Sequence, residues 1–415
     1  MGRQSLRLFL SILLFSFAIT SVSAIGQAND HQAPATSAYA YVGTCPGYPR
    51  YCNNGDNQIN GFAVAADGSA QPIPGSPFSA ASAGLSANPN FLFAVGGIAY
   101  QNIYTYAPAS DGSLTQVGMV NGLAPGGCGG DQVVGPLSPE PSGRFLYAGN
   151  GDNSCGTYYT AWSISPTGQL SYVNEPLPFE AYAWGSTLTF SPDDRFAYTG
   201  TVAEYDGALA GFIRDQQGSL VGFSPNPALP PSPGANQYLC DVGNTASSSA
   251  GFVSVLWYDG LYCYDGGPGF AEIANYTVNS DGTLNLVPGS EVVPAVNLQN
   301  MLYDPSGQYL AVVGCVSSWP YCEEAAIQIY KLQPGGGLVA AGPVQTAPGV
   351  RNLVSVAWDN ANHLYTYVSG NSSGPCTDAC GLYIFNNNDG VLTPAPGSPH
   401  PIQNNIVGLA VLPAN

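Results

Sequence analysis

Basic residues are scarce in this sequence. Eight lysines and arginines stand against 26 aspartates and glutamates in 415 residues, and the formal net charge is −18. A nucleic-acid-binding protein needs basic patches, because lysines and arginines displace the counterions of the phosphate backbone. We therefore expect no nucleic-acid partner, and anionic membrane surfaces are disfavoured for the same reason.

Long apolar runs are absent after the first two dozen residues. Arg3 and Arg7 precede an apolar run from Leu8 to Ile19, and Val22-Ser23-Ala24 supplies a small-residue cleavage site. The pattern predicts a secretory signal peptide over residues 1–24, since a membrane-spanning helix needs about 20 apolar residues. We expect the mature chain to be secreted or periplasmic, without membrane insertion.

Histidine is nearly absent, with three copies in the chain. His31 lies in a non-periodic lead-in over residues 25–37. His363 falls in a predicted turn, where we expect it to be solvated. His400 takes the place of Phe78 in a repeated Pro-Gly-Ser-Pro phrase, so we expect it to pack at the end of an outer strand. A Ser-His-Asp arrangement needs a base within reach of its nucleophile, and this sequence offers little support for one.

Ten cysteines in an exported chain predict disulfides. Their placement favours sequential pairs: Cys45–Cys52, Cys128–Cys155, Cys240–Cys263, Cys315–Cys322 and Cys376–Cys380. No CxxC pair is followed by a second one, and no histidine lies at ligand spacing, so a metal site is disfavoured. The turns at Asn54–Asn57 and Asn150–Asn153 carry oxygens that suit Ca²⁺, but hairpin chemistry explains the same residues. We predict no metal and no cofactor.

One turn recurs along the whole chain. Asn279-Ser280-Asp281-Gly282-Thr283-Leu284 leads from one short extended segment to another, and glycine at such a turn supplies the positive φ of a tight hairpin. Its relatives begin at Asp67, Asp111, Thr167, Gln217, Gly336 and Asp389. A hairpin repeated about every fifty residues indicates one structural unit in series.

The repeats predict an all-β fold, a seven-bladed β-propeller of four-stranded antiparallel blades over residues 38–415. Each unit also contains a turn such as Pro141-Ser142-Gly143 between its inner and second strands. The chain starts at a second strand, Tyr39–Gly43, and ends with a first strand, Asn405–Leu412. The last strand is therefore expected to complete the N-terminal blade, since both would otherwise expose unpaired edges. One inner strand, over Gln237–Val242, is assigned only from its place in the order of strands within the repeat.

The cysteines fall in one kind of loop. In a four-stranded blade, the crossover from outer to inner strand opens on the same face as the loop from second to third strand. All ten cysteines lie in or beside these loops, so we predict that one face of the disc is stapled by disulfides. Two interpretations remain open. Exported proteins staple whichever loops are long, or this face presents a surface that must stay rigid.

The repeated phrases resemble the lactonase-type seven-bladed propellers, which include 6-phosphogluconolactonases and carboxymuconate cyclases. The matching residues include Tyr39-Ala40-Tyr41-Val42-Gly43, Pro305-Ser306-Gly307 and Pro288-Gly289-Ser290. The resemblance implies the fold and a lactone substrate. The family's enzymes carry a His-rich phrase that enters an inner strand, and the equivalent segments here, 130–135 and 183–188, contain no histidine. No catalytic residue is carried over, and the question of enzyme activity stays open.

Candidate ligand-binding residues follow from position. Residues that enter the inner strands are expected to ring the mouth of the central channel: Arg351, Asn352, Asp131, Gln132, Trp184, Gln237, Gln299, Asn300 and Asn405. A guanidinium there suits a carboxylate or phosphate, although Arg351 has acidic neighbours to pair with. The aromatics Trp319 and Tyr321, between two cysteines, suit stacking on sugars or cover blade edges.

Three hypotheses for function remain. The first is an exported lactonase-like propeller, expected to be a monomer, that acts mainly as a scaffold binding a small polar or glycan-like ligand at the stapled face. The second is a lactone hydrolase in which Arg351 anchors the substrate and an acidic residue activates water. The third is a structural or adhesive surface protein without a small ligand.

Overall fold

The computed structural model consists of strands and turns. It describes residues 35–45, 57–97, 101–123, 133–152, 156–174, 184–185, 187–202, 208–225, 227, 239–259, 271–316, 324–347, 353–368 and 380–414, with the backbone alone at some strand ends. The signal peptide and most of the lead-in fall outside these residues and stay predictions.

Blades 1 to 3 follow one another along the chain. Blade 1 contains β1 (Thr36–Cys45), β2 (Gln58–Ala65), β3 (Ala70–Pro72) and β4 (Phe78–Ser79). Blade 2 contains β5 (Ala83–Ala87), β6 (Leu92–Gly96), β7 (Asn102–Pro108) and β8 (Leu114–Asn121). Blade 3 contains β9 (Val133–Pro139), β10 (Phe145–Asp152), β11 (Gly156–Ile164) and β12 (Leu170–Asn174). In blades 2 and 3 each strand pairs antiparallel with the next, from the innermost outwards, whereas in blade 1 strand β2 pairs with β1, β3 and β4.

Blades 4 and 5 repeat the plan. Blade 4 contains β13 (Trp184–Gly185), β14 (Thr189–Phe190), β15 (Phe196–Val202), β16 (Ala208–Arg214) and β17 (Leu220–Phe223). Blade 5 contains β18 (Leu239–Ser248), β19 (Phe252–Asp259), β20 (Ala271–Val278) and β21 (Leu284–Leu286). The expected inner strand over Gln237–Val242 begins two residues later and continues to Ser248, because it has to match the length of β19.

Blades 6 and 7 precede the closing strand. Blade 6 contains β22 (Asn297–Tyr303), β23 (Tyr309–Cys315), β24 (Ala325–Leu332), β25 (Leu338–Ala340) and β26 (Gln345–Ala347). Blade 7 contains β27 (Leu353–Trp358), β28 (His363–Val368), β29 (Gly381–Asn388), β30 (Val391–Pro394) and β31 (His400–Pro401). The last strand is β32 (Asn405–Pro413).

The seven-bladed propeller is confirmed, and the chain termini close its ring. Strand β32 pairs antiparallel with β1, with Tyr39 opposite Leu412, and so becomes the inner strand of blade 1. Strand β1 starts at Thr36, inside the segment expected to be lead-in, because the ladder with β2 and β32 extends to it.

The repeated Pro-Gly-Ser phrase divides outer strands. In blade 1 it separates β3 from β4, and the Gly61 N–H donates to Ser76 Oγ at 2.8 Å. Ser290 and Ser398 accept in the same way from Asn275 N at 3.0 Å and Ile384 N at 2.9 Å. The serine hydroxyl therefore replaces a ladder acceptor where the outer strand bends away. The outer part of blade 1 therefore consists of two short strands, β3 and β4.

The repeated glycine lies at the seam between neighbouring blades. Gly282 has a φ of 89°, and a Cβ there would lie 2.6 Å from the Phe196 ring of the preceding blade. Each blade presents an aromatic ring at this position to the glycine of the next blade's hairpin: Tyr39 to Gly112, Phe91 to Gly168, Phe145 to Gly218, Phe252 to Gly336, Tyr309 to Gly390 and His363 to Gly68. The glycine thus provides both the turn conformation and room for a neighbouring ring.

Candidate binding site in the central channel

The inner strands surround the axis of the ring, and they are irregular at a common level. The register between inner and second strand shifts in blades 1, 2, 3, 5, 6 and 7, for example between Val242 and Thr245. In blade 4 the inner strand is split into β13 and β14. A bulge interrupts the ladder and redirects side chains, which is why bulges are frequent beside binding sites.

Polar side chains on four consecutive inner strands bond to one another near this level. The term polar arc is used below for five residues of these strands: Ser138, Thr189, Asn244, Thr245 and Asn300. Ser138 Oγ accepts from Leu188 N at 2.9 Å, which joins blades 3 and 4. Thr189 Oγ1 donates to Thr245 O at 2.8 Å, and the Thr245 hydroxyl bonds Thr189 Oγ1 at 2.8 Å, which joins blades 4 and 5.

An amide pair ends the arc. Asn244 Nδ2 donates to Asn300 Oδ1 at 3.1 Å between blades 5 and 6, while Asn244 Oδ1 accepts from Thr245 N at 2.7 Å. Both asparagines are half-buried. A side-chain amide nitrogen carries two N–H donors, and Asn300 Nδ2 donates to no group among the described residues. The arc is therefore uncharged and has donor capacity for a ligand.

The fold is shared with solved structures, although no protein-family model and no curated protein sequence matches the chain. The Pseudomonas aeruginosa periplasmic gluconolactonase PpgL is 14% identical, with a TM-score of 0.61 over 91% of this chain and 99% of that one. A putative 6-phosphogluconolactonase from Bacteroides uniformis is 14% identical, with a TM-score of 0.60 over 91% and 100% of the chains. The chain has the fold of the gluconolactonase propellers.

A third solved structure with a different name also has this fold. A hypothetical selenium-binding protein from Sulfolobus tokodaii is 9% identical, with a TM-score of 0.56 over 92% of this chain and 96% of that one. At such identities the comparisons establish the fold and leave the chemistry to the residues of the site.

The structure places some of the predicted mouth residues. Asn405 is the first residue of the inner strand β32, opposite Cys45, the last residue of β1. Asn300 lies three residues inside β22, opposite Val313, so it belongs to the channel wall rather than to the rim. Trp184 begins β13 and Gln299 lies in the bulge of β22, with their side chains outside the description. The remaining candidates lie outside the described residues: Arg351, Asn352, Asp131, Gln132, Gln237, Trp319 and Tyr321.

Sequence reasoning missed Thr189, Thr245 and Asn244. The position rule considered residues that enter an inner strand, whereas the arc lies within the strands beside their bulges. Asn244 was also excluded because the inner strand of blade 5 was assigned to end at Val242. The available signal was the unusual asparagine within the run Val242-Gly243-Asn244-Thr245.

The described cysteines lie where the predicted staples need them. Cys45 ends β1 and Cys315 ends β23, both fully buried, and Cys380 directly precedes β29. No described cysteine is a free thiol. The predicted partners of these three cysteines, and the side chain of Cys240, lie outside the described residues. The five pairings therefore stay predictions.

The expectation that His363 is solvated was wrong. His363 is 3% exposed, and its Nδ1 lies 2.7 Å from Asp359 Oδ2, which also accepts from the Tyr365 hydroxyl at 2.7 Å. Burial raises the pKa of Asp359, but the hydrogen bonds from His363 and Tyr365 outweigh it, so the pKa lies below its ordinary value. The imidazole is buried because it occupies the seam position that a phenylalanine or tyrosine takes in the other blades.

His400 packs as expected. Its ring lies 5.5 Å from the Phe62 ring of blade 1, and burial lowers its pKa. Its place on β31 corresponds to that of Phe78 on β4, since both follow a Pro-Gly-Ser-Pro phrase. His400 belongs to the outer part of the ring, on a different strand from any member of the polar arc.

Among the described residues, no group of histidine, cysteine or acidic side chains has a geometry that would hold a metal ion. No helix in that part of the chain is long and apolar enough to cross a bilayer.

Proposed function

We propose that this chain is an exported lactonase-like propeller that binds a small neutral polar ligand, such as a glycan fragment, in its central channel on the face of the cysteine-bearing loops. The observation that carries the proposal is the Asn244–Asn300 amide pair, half-buried on adjacent inner strands with unused donor capacity.

The chemistry of the arc favours uncharged ligands. Hydroxyls and amides provide both donors and acceptors, so they match the hydroxyl groups of a sugar. The arc contains no charged side chain to offset the cost of desolvating a ligand charge. Thr189 and Thr245 hold their strands against each other through two bonds, which keeps the amides in place when a ligand enters.

The predicted disulfides and export fit the same proposal. Staples between loops reduce the loops' conformational freedom, and a preordered surface loses less entropy on binding. Export is supported by the signal-peptide pattern in the sequence and by the periplasmic location in the name of a structural relative.

Calorimetric titration tests the binding proposal. The probes are glucose, N-acetylglucosamine and short oligosaccharides of each, titrated into the mature chain. We expect saturable binding of at least one probe and a loss of about fivefold in affinity in Asn300→Leu, since one net hydrogen bond contributes about 1 kcal/mol. Asn285→Leu, at an exposed amide on a hairpin outside the channel, is the matched control and should bind normally.

Binding that is unchanged in Asn300→Leu would remove the arc from the site. Absence of binding across the panel would favour the structural or adhesive hypothesis instead.

Lactone hydrolysis is the second candidate, favoured by the fold shared with two gluconolactonases. It predicts acid release from glucono-δ-lactone or 6-phosphogluconolactone above the spontaneous rate, abolished in Arg351→Ala. If neither lactone is hydrolysed faster than in buffer, this candidate is wrong.

A further inference from the structure

A repeated tyrosine hydroxyl joins three pairs of neighbouring blades. Tyr41, Tyr147 and Tyr198 occupy equivalent positions on the second strands of blades 1, 3 and 4. Each donates to the carbonyl of the hairpin glycine in the next blade, at 2.7, 2.9 and 2.8 Å respectively. Blade 5 makes the same connection through Asn275 Nδ2, which donates to Gly336 O at 2.6 Å. These directional bonds fix one blade against the next.

In blade 7 the equivalent groups bond within their own blade. Tyr365 corresponds to Tyr198, but its hydroxyl donates to Asp359 in its own blade, as does the His363 ring. The other carboxylate oxygen of Asp359 accepts from Ala361 N at 3.0 Å and His363 N at 2.8 Å. All four bonds stay within blade 7, so the hairpin carbonyl of Gly68 in blade 1 receives no hydroxyl from Tyr365.

Few hydrogen bonds between described residues cross the two seams of blade 7, and all are long. On the blade 6 side, the Tyr309 hydroxyl donates to Asp389 Oδ1 at 3.3 Å and Trp358 Nε1 donates to Leu302 O at 3.3 Å. On the blade 1 side, Asn386 Nδ2 donates to Asp67 O at 3.2 Å.

Apolar clusters fill both seams of blade 7, as they fill the other seams of the ring, but few hydrogen bonds between described residues supplement them here. One cluster joins Tyr367, Leu382 and Ile384 to blade 1, and another joins Val356, Leu364 and Phe385 to blade 6. Apolar contacts lack the directionality of hydrogen bonds. Packed apolar surfaces therefore permit small sliding movements that a bonded seam resists.

We propose that blade 7 is a shear element of the ring, which shifts along its apolar seams while the remaining blades keep their register. Three hydrogen bonds between described residues cross its seams, so a shift breaks few bonds. Its inner strand β27 contacts β22, which carries Asn300. A shift of blade 7 therefore changes the channel wall beside the polar arc. The proposal does not depend on which ligand the channel binds.

Native-state hydrogen exchange with mass spectrometry tests this proposal. The comparison is between peptides from β28 and β29 of blade 7 and peptides from β15 and β16 of blade 4 in the unmodified protein. We expect the blade 7 amides to open at least about tenfold more often, because sub-global opening follows the weaker contacts. Equal or slower exchange in blade 7 would overturn the proposal without any variant.

A double variant designed to add the missing tyrosine bond gives a second test. Asp359→Ser with His363→Phe gives blade 7 the residues Ser248 and Phe252 of blade 5, which have the same spacing. With its acceptor removed, Tyr365 is expected to donate to Gly68 O as Tyr198 donates to Gly282 O. Exchange in β28 and β29 should slow about fivefold, the equivalent of one net hydrogen bond.

Tyr198→Phe is the matched control. It removes the corresponding bond in blade 4 and should speed exchange of β15 and β16 about fivefold, with blade 7 unchanged. If the double variant folds but leaves blade 7 exchange unchanged, the missing tyrosine bond does not set the movement and the proposal is wrong.

Discussion

Blades 4 and 7 have the same strand plan and connect to their neighbours in different ways. Blade 4 is bonded on both sides, through the buried Arg214–Glu140 ion pair to blade 3 and through Tyr198 to blade 5. Blade 7 directs the equivalent groups to Asp359 and packs against blades 6 and 1 through apolar clusters. The same repeat can therefore place its polar groups either across the seam or within the blade.

Among these variants, Arg214→Met should cause the largest loss of stability. Arg214 Nη1 lies 2.9 Å from Glu140 Oε1, with side chains 8% and 0% exposed. Removing the guanidinium leaves a buried carboxylate with the more distant Arg144 and costs about 3–5 kcal/mol of the free energy of unfolding. Urea denaturation measures it. Adding Glu140→Gln should recover part of the loss, and no recovery would contradict the ion-pair explanation.

Tyr365→Phe should cause the second-largest loss of stability. The variant removes a buried hydrogen bond to the Asp359 carboxylate, and bonds to charged groups contribute about 1.5–3 kcal/mol. Denaturation should show that loss of stability, whereas exchange of the blade 1 amides across the seam should be unaffected. Faster exchange in β1 and β2 would mean that Tyr365 also stabilises the seam.

Tyr198→Phe should cost less, about 1 kcal/mol, because the lost bond joins two uncharged groups. The same denaturation experiment measures the change. A cost equal to or above that of Tyr365→Phe would contradict the distinction between the two blades.

The pH dependence of Asp359 should be the smallest effect, since it concerns only the difference between the ionised and protonated carboxyl. Its folded-state pKa lies below the ordinary value of 3.8. Its contribution to stability is therefore complete above that value and is lost as the pH falls through the folded-state pKa. The melting temperatures of the unmodified chain and of Asp359→Asn should converge between pH 5 and about pH 2. A constant difference would contradict the assignment.

Local turn chemistry made the architecture predictable. Gly282 and its relatives require a positive φ whatever surrounds them, and Pro-Gly-Ser bends the chain by the geometry of its own residues. The strand order and the closing role of β32 followed from the spacing of these turns. The C-terminal end of the inner strand in blade 5 did not, because the strand continues past its bulge after Val242 and pairs with β19 as far as Ser248.

Side-chain environments were less predictable. His363 has the sequence context of a solvated turn residue, yet it lies in a seam against the hairpin of blade 1, far away in the chain. Asn244 and Asn300 meet because bulges in two separate strands bring them together. Neither arrangement depends on neighbouring residues in the sequence.

By itself the sequence determined the repeating unit, the number of blades and the way the ring closes, since glycine conformation, proline geometry and strand alternation act over a few residues. Only the tertiary structure decided which polar groups face one another. Tyr198 and Tyr365 have the same place in their repeats, and the hydroxyl of each bonds to whichever acceptor the folded ring brings nearer. That choice gives the seam beside Tyr198 a hydrogen bond that the seam beside Tyr365 lacks.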